Sequence, residues 1–157
     1  MQNVVIKFQN PFNEFEQSII YSNKEQALKA FLDVNWEQLN IDIYEKHDDV
    51  IHDYYFFELS YTDFSNQKNI LNIGGAYTHG ENLELNGVQF DVRYTRPIEK
   101  TSKGFFGLGE STTKTVSSEI WMEECNKPFV VKCLKAFLGQ DALFLETEII
   151  NNGVSSF

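Results

Sequence analysis

Leu83-Glu84-Leu85-Asn86-Gly87-Val88-Gln89-Phe90-Asp91-Val92-Arg93-Tyr94 carries the plainest structural signal in the chain. Val88, Phe90, Val92 and Tyr94 alternate with Gln89, Asp91 and Arg93, the period of two that sends every second side chain to one face of a strand. Leu83 and Leu85 alternate ahead of Asn86-Gly87, the dipeptide that suits a tight primed turn. The stretch therefore predicts a β-hairpin and, with it, an antiparallel sheet. Pro97 cannot donate to a ladder, so it is expected to end that strand or to mark it as an edge.

Toward the N-terminus the same period recurs. Ile70 to Gly75 reads as a strand whose paired glycines imply a bulge or a close backbone approach, and Tyr54 to Thr62 is rich in strand-favouring residues. Leu39, Ile41 and Ile43 alternate with Asn40, Asp42 and Tyr44 and read as a further strand, closed by a polar turn from Lys46 to Asp49. Val4, Ile6 and Phe8, a turn at Asn10-Pro11, and then Phe15, Ile19 and Tyr21 predict an edge hairpin. Toward the C-terminus, Val116 to Glu124 reads as the last strand.

Two helices stand out. Ser22 precedes Glu25 by three residues, a capping-box spacing. Ala27, Leu28, Phe31 and Leu32 then follow at helical spacing, giving a helix from Asn23 to Asp33 that can extend through Trp36. The second begins near Asn126-Lys127-Pro128, with proline in the first turn, and ends at Gly139 as a left-handed cap. Phe129, Cys133 and Phe137 line one of its faces. Ala142 to Ile149 suggests a short final helix, and residues 151–157 a frayed tail. Leu28–Leu32 and Leu134–Leu138 share the sequence Leu-Lys-Ala-Phe-Leu, which two amphipathic helices reach independently by using good helix formers. With no βαβ alternation, the chain reads as a single α+β domain over 1–157. Its architecture is a mainly antiparallel sheet with two principal helices packed against one face.

At 157 residues, 42% hydrophobic and 15% aromatic, the chain can bury a core without disulfides or a metal. Cys125 and Cys133, read as lying on one helix, would stand about 12 Å apart at about 1.5 Å per residue. A disulfide requires Cα atoms within about 7 Å. Two reduced thiols, with Cys133 buried, fit a cytoplasmic protein. Met1 to Phe8 lacks the basic and apolar regions of a leader, and no segment approaches about 18 apolar residues, so no membrane is expected as a partner. The net charge of −10, from 23 acids against 13 bases, repels phosphate and favours a basic protein partner over direct nucleic-acid or anionic-membrane binding.

Catalytic machinery is not legible. Lys103-Gly104-Phe105-Phe106-Gly107-Leu108-Gly109-Glu110 lacks the Gly-Lys-Ser/Thr ending of a phosphate loop. His47, Asp48, Asp49, His52 and Asp53, with His79 elsewhere, do not have the spacing of a metal set and read as a solvated turn. No serine or cysteine sits in a nucleophile context, so no cofactor or metal is expected and the chain is not read as an enzyme. Binding residues are easier to nominate. Between Asp42 and Asp63 lie seven acids against the single Lys46, interleaved with tyrosines. The candidate partner-binding set is Asp42, Glu45, Asp48, Asp49, Asp53 and Glu58, joined by Phe105 and Phe106 on the glycine-rich loop. Two alternatives stay open: a solvated face whose tyrosines belong to the core, and a loop whose phenylalanines fold back over the core as a lid.

Gly74-Gly75-Ala76-Tyr77, Arg93-Tyr94-Thr95-Arg96-Pro97, the Lys103 to Gly109 loop and the Cys133 to Leu138 helix together resemble small acidic cytoplasmic immunity proteins of bacterial toxin/immunity systems. The resemblance implies a stoichiometric inhibitor of one cognate toxin, often a basic nuclease, acting by occluding its active site or an essential surface. It assigns no role to any individual residue. The alternatives are an acidic mimic of nucleic acid, of the phage-encoded kind, and a small ligand-binding or enzymatic domain with a deep polar pocket.

Overall fold

The computed structural model describes residues 3–75, 80–152 and 154–155, with side chains described as far as Ile150. Among the described residues seven strands form one sheet: β1 (Val4–Gln9), β2 (Gln17–Tyr21), β3 (Phe56–Thr62), β4 (Lys68–Gly75), β5 (Gln89–Ser102), β6 (Thr112–Asn126) and β7 (Val154–Ser155). Their order is β2-β1-β3-β4-β5-β6-β7, and every pairing is antiparallel. The α-helices of the described residues are α1 (Lys24–Leu32), α2 (Trp36–Glu45), α3 (Glu81–Asn86), α4 (Lys127–Leu138) and α5 (Ala142–Asn152). The protein is α+β.

Register explains where the core lies. Ile6, Leu59, Leu71, Tyr94 and Ile120 stand side by side across five strands, and Phe57, Ile73 and Val92 form the next row; all are buried. Because side chains alternate, these rows share one face, and the helices cover it. Phe31 of α1 meets Phe57 and Phe90 at ring-centroid distances of 5.3 and 5.8 Å. Phe137 of α4 meets Tyr61 at 5.0 Å, and Leu145 and Ile149 of α5 join the same buried cluster. On the opposite face Lys7, Glu58, Asn72 and Arg93 form one row, and the core-packing residues of the described helices lie on the other side.

Several expectations are corrected. Leu39 to Tyr44 is helical rather than a strand: Asn35 caps α2 by accepting the Gln38 amide at 3.1 Å, and Trp36, Leu39, Asn40 and Ile43 turn inward at helical spacing. Leu83 to Asn86 is also helical. Gly87 (φ 70°) stops α3 and Asn86 does not enter the left-handed region, so the primed turn, which needs both residues there, does not form. Pro97 does not end the strand but lies within β5, opposite Ser117, and it does mark an edge. The β4 ladder reaches β5 only as far as Thr95, so a residue without an N–H is accommodated past that point.

Asn23, not Ser22, caps α1, accepting from the amides of Glu25 and Gln26. Gly139 is right-handed (φ −80°), and the left-handed position after α4 falls on Gln140 (φ 58°). Gln140 donates to the Phe137 carbonyl and Asp141 to that of Ala136, a Schellman closure. The expected frayed tail spans residues of which Gly153, Ser156 and Phe157 lie outside the described set, as does His79, while Val154 and Ser155 pair with Trp121 and Ile120 of β6.

Cys125 sits near the end of β6 rather than on a helix, and both cysteines are free and buried. Burial pushes the Cys125 thiol up to about 11 and that of Cys133 up to about 12. Only the thiolate is nucleophilic, so at pH 8 only a very small fraction of molecules presents a reactive Cys125. Ellman's reagent should therefore label neither thiol of the native protein at that pH and both in guanidinium. Prompt native labelling would mean that the helix layer does not seal this part of the sheet.

Candidate functional site

The acid-rich segment is built outward from α2. With Trp36, Leu39, Asn40 and Ile43 committed to the core, Tyr44 and Glu45 are left exposed at the C-terminal turn. A 3-10 turn, His47–Asp49, follows and then a loop whose path is set by a neighbour far away in sequence. The amides of Ile51 and His52 donate to the Pro11 carbonyl at 2.9 and 3.0 Å, and His52 Nε2 lies 3.1 Å from the Glu14 carbonyl oxygen. Tyr54 stacks on Phe56 at a ring-centroid distance of 6.3 Å, and the His52 ring lies tilted against Tyr54 at 5.3 Å.

Four of the nominated acids, Glu45, Asp48, Asp49 and Asp53, follow one another along this turn and loop, all exposed. Among the described residues none of them meets a lysine or arginine, and Asp48 pairs only with His47, at 3.2 Å. Tyr44, Ile51 and Tyr54 stand exposed among them, each more than half open to solvent. Tyr55 and Tyr61 behave differently and join or pack on the core, so the tyrosines of this segment divide between the two readings.

Two nominated acids fall outside the cluster. Asp42 accepts from Lys46 Nζ at 3.0 Å and from Gln38 at 3.1 Å, bonds that hold its carboxyl below the ordinary range and neutralise it. Glu58 projects from the uncovered face of the sheet, where it accepts from Asn72 at 3.1 Å.

Phe105 and Phe106 are separated from all of these. Gln9, Phe56, Gly74 and Asp91 lie abreast at the end of the sheet that carries the acidic loop. At the other end β5 and β6 continue past β4 as a two-stranded ribbon, to Ser102 opposite Thr112. From Asp91 to the tip is about 35 Å at strand rise. There Phe105 and Phe106 are 83% and 85% exposed, so they do not fold over the core.

Sequence reasoning missed Ile51 and Glu14, because the 10–16 turn reaches the 50–54 loop only through the pairing of β1 with β3. Leu108, the third large apolar residue of the glycine-rich loop, is exposed beside the two phenylalanines.

An open cavity of about 540 Å³ lies where the α1–α2 junction meets Gly87 and Asn126. Its polar side chains are largely used by the fold: Asn35 and Asn126 cap α2 and α4, and Asp33 pairs with Lys29. Among the described residues, no helix is long and apolar enough to cross a membrane, and no three His, Cys, Asp or Glu side chains are grouped to hold a metal. Comparison with protein-family models, curated proteins and solved structures gave no match to this chain.

Proposed function

We propose that this protein is an immunity-type inhibitor that captures a basic protein, a toxin or nuclease, at the end of the sheet formed by the α2 C-terminus and the 47–54 loop. The observation that carries the reading is the cluster of Glu45, Asp48, Asp49 and Asp53, unneutralised by any described lysine or arginine and interleaved with exposed Tyr44, Ile51 and Tyr54. Carboxylates accept charge-assisted bonds from Lys and Arg and steer encounter, while rigid aromatic and aliphatic groups supply the desolvated contact that holds the complex. Charge is distributed accordingly: residues 1–67 hold twelve acids and four bases, residues 68–157 eleven and nine.

Co-expression with the product of the adjacent gene tests this. The expected result is protection from that product and a one-to-one complex whose affinity falls by about 100-fold or more in the Asp48→Lys/Asp49→Lys variant. Both side chains are exposed, so the melting temperature should be unchanged. Absence of a complex, or one indifferent to the charge reversal, would remove the proposal's basis. Competition by duplex DNA would instead favour the nucleic-acid mimic.

A further inference from the structure

At the pole opposite the acidic cluster, the β5–β6 ribbon presents Phe105, Phe106 and Leu108, each at least 80% exposed. Their exposure is built in. Gly107 donates to the Gly104 carbonyl at 3.0 Å and Leu108 to that of Phe105 at 3.2 Å, closing a tight loop. A Cβ at Gly104 would stand 2.5 Å from the Leu108 carbonyl oxygen, so the glycine is required there. Cross-strand hydroxyl pairs, Thr101 with Thr113 at 3.1 Å and Ser102 with Thr112 at 2.8 Å, lace the shaft just behind it. The two phenyl rings meet edge to face at 4.3 Å.

One step further back, Lys100 and Lys114 lie directly opposite each other, and both are exposed. Like charges facing across a ladder are unfavourable unless an anion meets them. Lys103 adds a third cation beside the tip, against Glu99 and Glu110 in the same ribbon. At about 3.4 Å per residue the lysine pair stands about 7 Å behind the last ladder pair, comparable with the depth of about 5–10 Å to which interfacial apolar groups enter a bilayer.

The same pole carries Phe64, 98% exposed on a turn fixed by Asp63 Oδ1 accepting from the amides of Ser65 and Gln67. The acidic cluster is about 35 Å away along the strands, several Debye lengths at physiological salt, so those carboxylates do not set the field at the tip.

We infer that this ribbon docks on an anionic phospholipid surface. Phe105, Phe106 and Leu108 enter the headgroup–acyl boundary, and Lys100, Lys103 and Lys114 meet the headgroup phosphates. A convex apolar tip suits a fluid surface that closes around it, and lysines set behind such a tip keep their charge in the headgroup layer while their stems lie along it. Nothing in this arrangement crosses the bilayer, and it does not depend on the partner proposed above.

Flotation of the full chain with vesicles of phosphatidylcholine and phosphatidylglycerol in equal parts, and with phosphatidylcholine alone, tests the inference. Binding to the anionic vesicles is expected, weakened by added salt. It should fall by about tenfold or more in Phe105→Ser/Phe106→Ser and in Lys100→Glu/Lys114→Glu. Lys24→Glu/Lys132→Glu, with the same change in net charge on two exposed lysines outside the ribbon, should bind as the unaltered protein does. Phe106→Trp should add an emission, over that of Trp36 and Trp121 in the unaltered protein, that shifts to the blue on the same vesicles, a readout that needs no loss of function. The inference is overturned by absence of vesicle binding or by binding that survives loss of the phenylalanines. Tip-dependent self-association in lipid-free sedimentation would overturn it as well, since the occupant would then be a second copy.

Discussion

Replacing Trp36 by alanine should lower folding stability by about 4 kcal/mol, a large share of the roughly 5–15 kcal/mol available to a domain of this kind. Trp36 is 2% exposed and joins three elements. Its ring centroid lies 4.9 Å from that of Phe31 on α1, 5.4 Å from Phe90 on β5 and 5.7 Å from Tyr55 ahead of β3. The indole N–H donates to the Phe31 carbonyl at 3.0 Å, which closes the α1–α2 junction. Truncation removes the largest side chain from this aromatic cluster and leaves a void that neighbouring rings cannot fill without leaving their rotamers. Urea denaturation checks the value. Trp36→Phe, which keeps most of the volume and loses the N–H, should cost only about 1–2 kcal/mol; equal losses in the two variants would show that the hydrogen bond, not the packing, holds the junction.

Gly75→Ala should cost about 3 kcal/mol, whereas Gly74→Ala, the same change one residue earlier, should stay within about 1 kcal/mol of the starting protein. A Cβ at Gly75 would land within the ring of Tyr55, but one at Gly74 would find nothing closer than 3.9 Å. Tyr55 cannot step aside cheaply. It is 3% exposed, stacks on Trp36, and its hydroxyl accepts from Asn40 Nδ2 at 2.9 Å. Burial pushes its phenol up to about 12, so a displaced Tyr55 should also titrate earlier in an alkaline absorbance scan. The phenol ionises more readily unfolded than folded. This raised value therefore leaves stability intact at neutral pH and lowers it only as pH rises above the ordinary tyrosine value. Identical stabilities for the two alanine variants would refute the close approach.

The inner strands were legible because one face of each is buried: Val4 and Ile6, or Leu71 and Ile73, alternate with residues on the uncovered face, and period two survives in the sequence. α4 was legible because Pro128 marks its start and apolar residues repeat along one side. The misreading of Leu39 to Tyr44 has a definite cause. Ile41 is only half-buried, and its presence between Leu39 and Ile43 imitates alternation, whereas the inward set is Trp36, Leu39, Asn40 and Ile43. The stronger signal was Asn35 with Gln38 three residues on, a cap spacing that opens a new helix. Leu83 to Gly87 was misread because Asn-Gly serves a helix stop as readily as a hairpin, and six residues are too few to show a period.

Of the nominated binding residues, the exposed acids from Glu45 to Asp53 were within reach of sequence because their backbone neighbours are also their neighbours in space. Their separation from Phe105 and Phe106 was not, since it follows from the direction in which β3 and β5 cross the sheet.

The sequence alone determined the antiparallel α+β character, the helix-covered face of the sheet and the surplus of carboxylates, because periodicity and charge are properties of neighbouring residues. Only the tertiary structure decided which carboxylates remain unneutralised, that Tyr54 faces water while Tyr55 fills the space left by Gly75, and that an apolar, lysine-flanked ribbon stands at the far pole from the acids. Those outcomes depend on pairing and register between segments distant along the chain, as when the Pro11 carbonyl receives the amides of Ile51 and His52. No local pattern along the chain encodes such a meeting.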